Sequence, residues 1–165
     1  MCGIIGIISN RKDNTIVQEL LEGLMTLQHR GQDSAGIATE DVIIKKPGLV
    51  KYAFSDTNLD NLHTQMCIGH VRYKTNSVYN NIQPLYNILP RRITMCHNGN
   101  IINTKSLKEL LKNLYNVVLN TNSDSEIILT LFSCKLYELM TKTKEDLTES
   151  HIAVSYTHLT LPTSS

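Results

Sequence analysis

The sequence predicts an α+β fold that forms a single layered domain. Predicted strands come before and between the predicted helices without strict alternation, which favours a layered α+β arrangement over a parallel βαβ one. Short apolar runs and apolar stripes at helical spacing occur in the same chain, so both element types contribute to the core. The chain has 165 residues, a length typical of one domain and sufficient to bury a sizeable core.

The first half of the chain begins with a predicted strand and a predicted helix. Residues 3–9 are an apolar run with two glycines, as in a buried strand, and residues 10–14 are a polar turn. Residues 15–28 predict an amphipathic helix, because one stripe carries Ile16, Leu20, Leu24 and Leu27. After a polar loop, strands are predicted at residues 35–39, 42–46 and 49–53. Residues 55–65 are ambiguous and have some helical character, and a further strand is predicted at residues 66–72.

The second half is predicted to contain a long polar loop, two strands and two helices. Residues 73–83 include three asparagines and no apolar period, which indicates a loop. Strands are expected at residues 85–89 and 92–97, and a helix at residues 103–115. The sequence Ser123-Asp124-Ser125-Glu126 has the form of a capping box, so a second helix is expected to begin there and to end near Met140.

The C-terminal residues do not continue this pattern. Residues 155–165 contain no Lys, Arg, Asp or Glu and consist mostly of Ser and Thr, directly after an apolar stretch that begins another strand. We therefore expect a truncated domain at residues 1–154, and a foreign or unstructured tail at residues 155–165. A foreign tail would leave the fold incomplete at its C-terminus, whereas a genuine flexible tail is the alternative.

Composition excludes several classes of protein. The formal net charge is +1, so no basic surface for nucleic acid or an anionic membrane is expected. No apolar run approaches the roughly 20 residues that span a bilayer, and no secretory signal is recognisable, so a cytoplasmic protein is expected. The spacing of the cysteines fits neither a metal site nor a disulfide framework, and we expect free, mostly buried thiols at Cys67, Cys96 and Cys134.

Cys2 differs from the other cysteines because it follows the initiator methionine. Removal of Met1 would leave one residue that carries both a thiol and an α-amino group. The reference pKa of that amine is about 8, so the amine can be partly neutral near pH 7 and can accept the thiol proton. This combination of nucleophile and base is the chemistry of N-terminal nucleophile enzymes. A cysteine at position 2 is weak support by itself, and the other motifs must carry the assignment.

Four polar segments lie at the ends of predicted elements, at residues 28–36, 69–73, 97–100 and 123–126. They supply further groups that amide hydrolysis needs. Arg72 can bind a carboxylate bidentately, and Asp124 can pair with an ammonium group. The Asn98 side chain and the Gly99 N–H can donate to the oxyanion of a tetrahedral intermediate. Each segment also has a purely structural alternative, such as a loop, a surface charge, a tight turn or a helix cap.

These segments together resemble a known family. MCGIIGI, QHRGQDSAG, GHVRY, QP, HNGN and SDSE occur here in the order seen in class II (N-terminal nucleophile) glutamine amidotransferases. The forms QHRGQDS and GHVRY are most similar to the amidophosphoribosyltransferase branch. They are less similar to the branches that make glucosamine-6-phosphate or asparagine. The resemblance extends from Met1 to about Met140.

The resemblance implies a four-layer αββα sandwich with Cys2 at the start of a central strand. It implies that Cys2 is nucleophile and base, that Asn98 and Gly99 form the oxyanion hole, and that glutamine is bound through Arg72, Thr75 and Asp124. Arg30 and Tyr73 match supporting positions, and residues 73–84 match a loop that closes over glutamine. This loop departs from the small residues common in the family, because it reads Lys74-Thr75-Asn76-Ser77-Val78. His70 and His97 are expected to be scaffold residues, because the α-amine already supplies the base.

The resemblance also implies partners outside this sequence. Ammonia would pass to phosphoribosyl pyrophosphate in the first step of purine synthesis, on a C-terminal domain that is absent here and that binds Mg²⁺. An iron–sulfur cluster, carried by some family members, would likewise belong to the absent part, and a homo-oligomer is expected. No metal or other cofactor is expected in this chain. The truncated chain itself is expected to have little or no activity. The alternatives to this assignment are the glutaminase module of another class II amidotransferase, or an inactive truncated fragment.

Overall fold

The computed structural model describes residues 1–73, 81–143 and 154–155. The first half contains β1 (Gly3–Asp13), α1 (Thr15–Thr26), a 3₁₀ helix (Leu27–Arg30), β2 (Ser34–Thr39), β3 (Ile43–Pro47), α2 (Val50–Ala53) and β4 (Thr64–Arg72). The second half contains β5 (Leu85–Asn87), β6 (Ile93–Cys96), α3 (Thr104–Tyr115), α4 (Asp124–Thr143) and β7 (Val154–Ser155). Most of the predicted elements are present with bounds close to those expected.

The strands form two sheets. Sheet A has the order β1-β4-β2-β3, and its neighbours are antiparallel. Sheet B has the order β5-β6-β7, with β5 antiparallel and β7 parallel to β6. The register of sheet A places Gly3 opposite Val71 and places Ser34 opposite Arg72. The start of β1 and the start of β2 therefore both lie beside the end of β4.

The packing of these sheets and helices gives the order helix, sheet, sheet, helix. One face of sheet A packs on α1, where Leu20 and Leu24 are fully buried. The other face of sheet A contacts sheet B through Ile68 and Cys96. The far face of sheet B packs on α4, for example through Leu129. Full burial of a leucine contributes about 1.5–3 kcal/mol, so these apolar layers hold the sandwich together. The predicted α+β class and the αββα layering are confirmed.

Strand β1 is longer than the sequence predicts. It continues to Asp13, where Asp13 pairs with Thr64 after an irregularity in the register, and the expected turn at residues 10–14 is wrong. A polar segment can remain in a strand when its side chains face solvent, and the side chains of Asn10, Arg11 and Lys12 are exposed. Polarity alone therefore did not indicate the turn.

Residues 49–53 are also not a strand. They form the short helix α2, in which the Leu49 carbonyl accepts hydrogen bonds from the N–H groups of Tyr52 and Ala53. The side-chain oxygen of Gln28 accepts a hydrogen bond from the Val50 N–H at 2.8 Å. That bond satisfies a free donor at the start of the helix, and it comes from a residue 22 positions away. A local pattern carries no information about such a contact.

Helix α4 begins where expected, but its capping differs from the predicted box. The Glu126 carboxylate accepts hydrogen bonds from the backbone N–H groups of Asn120 and Thr121, each at 2.7 Å. The Ser123 N–H donates instead to the Thr121 hydroxyl oxygen. Glu126 therefore orders the loop before α4. No helix of the described residues has the length and apolar character needed to cross a membrane.

Candidate active site

Five element ends meet at one end of the sandwich. Extension of the register by one position beyond the pair of Gly3 and Val71 would place Cys2 beside Arg72, and Arg72 lies opposite Ser34 on its other side. Side chains alternate along a strand, so Cys2 lies on the same face as Ile4, the face that packs toward sheet B. The segment after β6 and the first turn of α4 approach this edge from the second sheet.

The Asn98 side chain holds the backbone of Cys2 from both sides. Its Oδ1 accepts a hydrogen bond from the Cys2 N–H at 3.3 Å, and its Nδ2 donates to the Cys2 carbonyl at 3.2 Å. These contacts bring residues 96 positions apart into one group. An amide nitrogen carries two hydrogens, so the bond to Cys2 leaves a second Asn98 donor for an oxyanion. The structure thus brings together two of the residues predicted for catalysis.

Arg30 contacts the same carbonyl. Its Nε donates a hydrogen bond to the Cys2 carbonyl oxygen at 3.1 Å. The carbonyl group of Cys2 is therefore fixed by two side chains, one from the segment after α1 and one from the segment after β6. This contact agrees with a supporting role for Arg30, because it sets the orientation of Cys2.

The loop after the 3₁₀ helix packs directly on the end of β4. A Cβ atom on Gly31 would lie 2.5 Å from the carbonyl carbon of Arg72, so only glycine allows this approach. The Asp33 N–H donates to the Arg72 carbonyl at 3.0 Å. Gln28 stabilises the loop, since its Nε2 donates to the Gly31 carbonyl. No role was predicted for Gln28, although its place in the QHRGQDS motif was the available signal.

Asp124 is tied to the segment that carries Asn98 and Gly99. Its Oδ2 accepts a hydrogen bond from the Ile101 N–H at 3.0 Å, and its Oδ1 lies 3.4 Å from the Ser125 hydroxyl. Asp124 opens α4, where the helix dipole favours a negative charge. The residue predicted to bind an ammonium group and the residues predicted to form the oxyanion hole therefore belong to one connected unit.

Comparisons with known proteins agree with this geometry. A family model described as a glutamine amidotransferase domain matches residues 70–148. The amidophosphoribosyltransferase of Pseudomonas aeruginosa is 41% identical over 169 residues, which covers 96% of this chain and 32% of that protein. The Escherichia coli enzyme of the same name is 41% identical over 143 residues, which covers 82% of this chain and 28% of that protein.

Solved structures give the same result. The glutamine phosphoribosylpyrophosphate amidotransferase of B. subtilis, in complex with ADP and GMP, superimposes with a TM-score of 0.65 at 34% identity, over 79% of this chain and 29% of that one. A structure described as the allosteric regulatory enzyme of purine biosynthesis gives a TM-score of 0.64 at 34% identity, over 78% of this chain and 28% of that one. The chain belongs to the class II glutamine amidotransferases. It spans about a third of the length of the curated relatives that it matches.

Two histidines lie near the amidotransferase site, and His70 is too deeply buried to act as a general base. His70 is fully buried, and neither ring nitrogen has a hydrogen-bond partner among the described residues. Burial lowers the pKa of His70 to about 4, although the nearby His97 backbone opposes this change. Burial also lowers the pKa of His97, while the Asp124 carboxylate partly restores it. The burial of His70 agrees with the predicted scaffold role, because a base must reach the substrate.

The remaining cysteines of the amidotransferase domain are poor nucleophiles. Burial raises the pKa of Cys67 to about 12 and raises the pKa of Cys96. Burial likewise raises the pKa of Cys134, which lies on α4 far from Cys2 in sequence. All four cysteines are free thiols, as predicted. Since the thiolate is the nucleophile, these shifts make the other three thiols poor candidates for that role. Cys2 is partly exposed.

Three predicted features of the site are Tyr73, Thr75 and the loop at residues 73–84, and the structure describes only Tyr73 and the end of that loop. Tyr73 follows β4 directly and is 56% exposed, so it is accessible at the mouth of the site. Thr75 and most of the loop predicted to close over glutamine lie outside the described residues. Their roles remain predictions. The described residues contain no group of three or more His, Cys, Asp or Glu side chains that could hold a metal ion.

Proposed function

We propose that this domain hydrolyses glutamine to glutamate and ammonia, with Cys2 as the nucleophile after removal of Met1. The observation that supports this proposal best is the arrangement around Cys2. Its backbone is held by Asn98 and Arg30, and it lies beside Arg72 on the inner face of sheet A. Met1 is 81% exposed, so it is accessible to removal.

Glutamine would be held by its two charged ends. The Arg72 guanidinium would bind the α-carboxylate, and Asp124 would bind the α-ammonium group. The side-chain amide would then extend toward Cys2. Such two-point binding sets the distance between the amide carbon and the sulfur, which converts a bimolecular encounter into an oriented one. Thr75 and Tyr73 are proposed to line this pocket.

The chemistry proceeds in two halves. The α-amine of Cys2 accepts the thiol proton, and the sulfur forms a bond to the amide carbon of glutamine. The carbonyl oxygen becomes an oxyanion, which accepts hydrogen bonds from the Asn98 side chain and the Gly99 N–H. The C–N bond breaks as the α-ammonium returns its proton to the leaving nitrogen, which releases ammonia and leaves a thioester. Water then attacks the thioester, with the same amine as base, and glutamate leaves.

We further propose phosphoribosyl pyrophosphate as the eventual ammonia acceptor. The relatives that match this chain are amidophosphoribosyltransferases, and the chain corresponds to about a third of their length. Use of phosphoribosyl pyrophosphate with Mg²⁺, any iron–sulfur cluster, a homo-oligomeric state and a cytoplasmic location are part of the same proposal.

The test is to compare Cys2→Ala with Cys96→Ala in the protein after Met1 removal. Cys2→Ala should abolish glutamine hydrolysis, measured as ammonia release, and should leave the fold intact by circular dichroism. Cys96→Ala is a matched control, because it removes a thiol whose pKa is raised by burial between the sheets. It should retain most of the turnover despite some loss of packing. Full turnover by Cys2→Ala would disprove the proposed function.

A further inference from the structure

We propose that Gln83 is a positioning residue for this reaction, because its side-chain amide holds the segment that carries the oxyanion-hole donors. The inference rests on the proposed glutaminase function. It concerns the QP motif, Gln83-Pro84, to which the mechanism above assigns no role. Gln83 is only 7% exposed, so its amide is enclosed and not a surface group.

The Gln83 amide binds both backbone groups of His97. Its Oε1 accepts a hydrogen bond from the His97 N–H at 2.6 Å, and its Nε2 donates to the His97 carbonyl at 3.0 Å. One planar amide thus fixes both peptide groups of the residue that precedes Asn98. The orientation of the following peptide determines where the Asn98 and Gly99 donors point, and oxyanion donors act only at short distance from the developing charge.

The same amide also reaches α4 through Ser125. Gln83 Nε2 lies 3.2 Å from the Ser125 hydroxyl, and that hydroxyl lies 3.0 Å from His97 Nδ1. The backbone and the ring of His97 are therefore both fixed, and Ser125 directly follows Asp124. Gln83 consequently connects the oxyanion segment with the proposed binder of the substrate ammonium group.

The ring of His97 also supports the backbone of Gly99. A Cβ atom on Gly99 would lie 2.7 Å from His97 Nε2, so the ring lies directly against the glycine backbone. Displacement of His97 would remove that support. A shift of about 1 Å in a catalytic group can cost on the order of 100-fold in rate. The hydrogen bonds that fix His97 should therefore have a measurable effect on the rate of hydrolysis.

Gln83 itself is held against sheet A. A Cβ atom on Gly36 would lie 2.0 Å from the Gln83 carbonyl oxygen and 3.0 Å from Pro84 Cδ. Its backbone therefore rests on β2, while its side chain reaches sheet B and α4. This arrangement fixes the amide before substrate binds, which is the condition for a positioning residue to lower the barrier without improving substrate affinity.

The direct test is Gln83→Met, which keeps the length of the side chain and removes its hydrogen bonds. We expect kcat for glutamine hydrolysis to fall by roughly 10- to 100-fold, with KM changed by less than about threefold. The rate of Cys2 alkylation by iodoacetamide should stay within about twofold of wild type, because displacement of iodide needs no oxyanion hole. This split between hydrolysis and alkylation would not follow from general loosening of the fold.

The matched control is Asn87→Leu. Asn87 lies on β5, and its amide nitrogen donates to the Ser133 hydroxyl on α4 at 2.9 Å. It therefore makes an amide-to-serine contact between sheet B and α4, as Gln83 does with Ser125, but it does not contact the oxyanion segment. This variant should lower the melting temperature by an amount similar to Gln83→Met and should keep kcat within about twofold of wild type.

Gln83→Glu provides a rescue that depends on pH. A protonated carboxyl group has one donor and one acceptor, so it can replace both bonds to His97, whereas a carboxylate would face the His97 carbonyl. Burial raises the pKa of such a group, so protonation begins near neutral pH. The kcat of this variant relative to wild type should therefore rise as pH falls, whereas the ratio for Gln83→Met should stay flat.

Three results would decide against the proposal. A kcat of Gln83→Met within twofold of wild type would overturn it while Cys2-dependent hydrolysis persists. Equal losses in hydrolysis and alkylation would assign Gln83 a structural role only. Absence of Cys2-dependent hydrolysis in the wild-type protein would overturn the proposed function and this inference together. Loss of kcat alone, with rescue at low pH by Gln83→Glu, is the result that supports it.

Discussion

Asn98 holds the nucleophile with the side chain that is proposed to stabilise the intermediate. Its Oδ1 accepts from the Cys2 N–H, and its Nδ2 donates to the Cys2 carbonyl. After removal of Met1, the α-amine would stand where the N–H stands now. A hydrogen bond to Oδ1 would orient this amine, so that its lone pair is available to the thiol proton. The residue types alone indicated an oxyanion donor, but not this second contact.

The binding role of Arg72 leads to a prediction for Arg72→Lys. Lysine keeps the charge and loses the planar pair of donors, and a charge-assisted hydrogen bond contributes about 1.5–3 kcal/mol. We expect the apparent affinity for glutamine to fall by roughly tenfold or more, measured as KM or by calorimetry on Cys2→Ala. Arg92→Lys is the control, because Arg92 contacts the Asp41 carbonyl away from the site. An unchanged affinity in Arg72→Lys would mean that Arg72 does not bind the carboxylate.

The burial of His70 predicts how the free energy of unfolding depends on pH. Burial lowers the pKa of His70 from 6.5 to about 4, and the charges of Arg72 and of the His97 ring act in the same direction. Between these two values the unfolded chain binds more protons, so the free energy of unfolding falls as pH falls from about 6.5 toward 4. The loss attributable to His70 is up to about 3 kcal/mol.

The measurement is urea denaturation of the wild type and His70→Leu across that pH range. The variant should lose less stability on acidification than the wild type, because it lacks the buried group that must be protonated. Carboxylates contribute equally to both proteins and cancel in the comparison. Parallel pH profiles for the two proteins would contradict the assignment of the slope to His70.

At the scale of single residues, the sequence indicated candidate site residues but not the side chains that support them. Cys2, Arg72 and Asp124 were identifiable as candidates because amide hydrolysis restricts the residue types that can act. Gln28 and Gln83 were not, since a buried glutamine amide has the same residue type as an exposed one. Their roles arise from hydrogen bonds over 22 and 14 positions of sequence, which no local pattern encodes.

At the scale of elements, errors occurred where tertiary contacts outweighed local preference. The apolar segment at residues 49–53 has the composition of a strand, but the Gln28 side chain accepts a hydrogen bond from the first turn of α2. By contrast, α1 was predicted well, because its apolar stripe at helical spacing describes the surface that the helix buries. Helix α3 also begins and ends near the expected residues, although Leu111 is the buried member of its stripe and Leu110 and Leu114 are exposed.

The close contact between the loop after the 3₁₀ helix and the end of β4 predicts that Gly31→Ala and Gly6→Ala affect stability differently. Gly31→Ala would place a Cβ atom 2.5 Å from the Arg72 backbone, which cannot move without displacing the end of β4. Overpacking of this kind costs about 1–3 kcal/mol, so we expect that loss of stability together with weaker glutamine binding. Gly6→Ala is the matched control in β1, where the nearest contact would be 3.6 Å from Ile68.

Both variants should be measured by thermal denaturation and by glutamine affinity. Gly6→Ala should remain within about 0.5 kcal/mol of wild type in stability, and its affinity should be unchanged. If Gly31→Ala were as stable as Gly6→Ala, then the loop could move away from β4. The close contact would then have no part in positioning Arg72.

At the scale of the whole molecule, the layering explains why the site forms at one end. Each sheet buries one face against a helix and the other against its partner sheet. The interior is therefore filled by side chains such as Ile68 and Cys96 and leaves little room for a substrate. Polar groups gather where β1 begins and where β4 and β6 end, because the backbone there leaves the apolar layers. Only the complete sandwich brings these ends together.

The last prediction concerns the state of the N-terminus of the folded chain. In the chain that retains Met1, the nitrogen of Cys2 is an amide, which cannot accept a proton. In that chain Asn98 and Arg30 already contact Cys2. Removal of Met1 should therefore change activity without changing stability. A mechanism with His97 as the base predicts that a flexible extension before Cys2 does little harm.

The two mechanisms are separated by a cleavable N-terminal tag that leaves Cys2 as the first residue after cutting. Ammonia release from glutamine should be near background before cutting and should rise by at least about 100-fold afterwards, since general acid–base catalysis contributes about 10²- to 10⁴-fold. Mass spectrometry confirms the processed terminus, and the melting temperature should stay the same. Cys2→Ala, cut in the same way, should remain inactive. Equal rates before and after cutting would exclude the α-amine as base and would assign that role to a side chain.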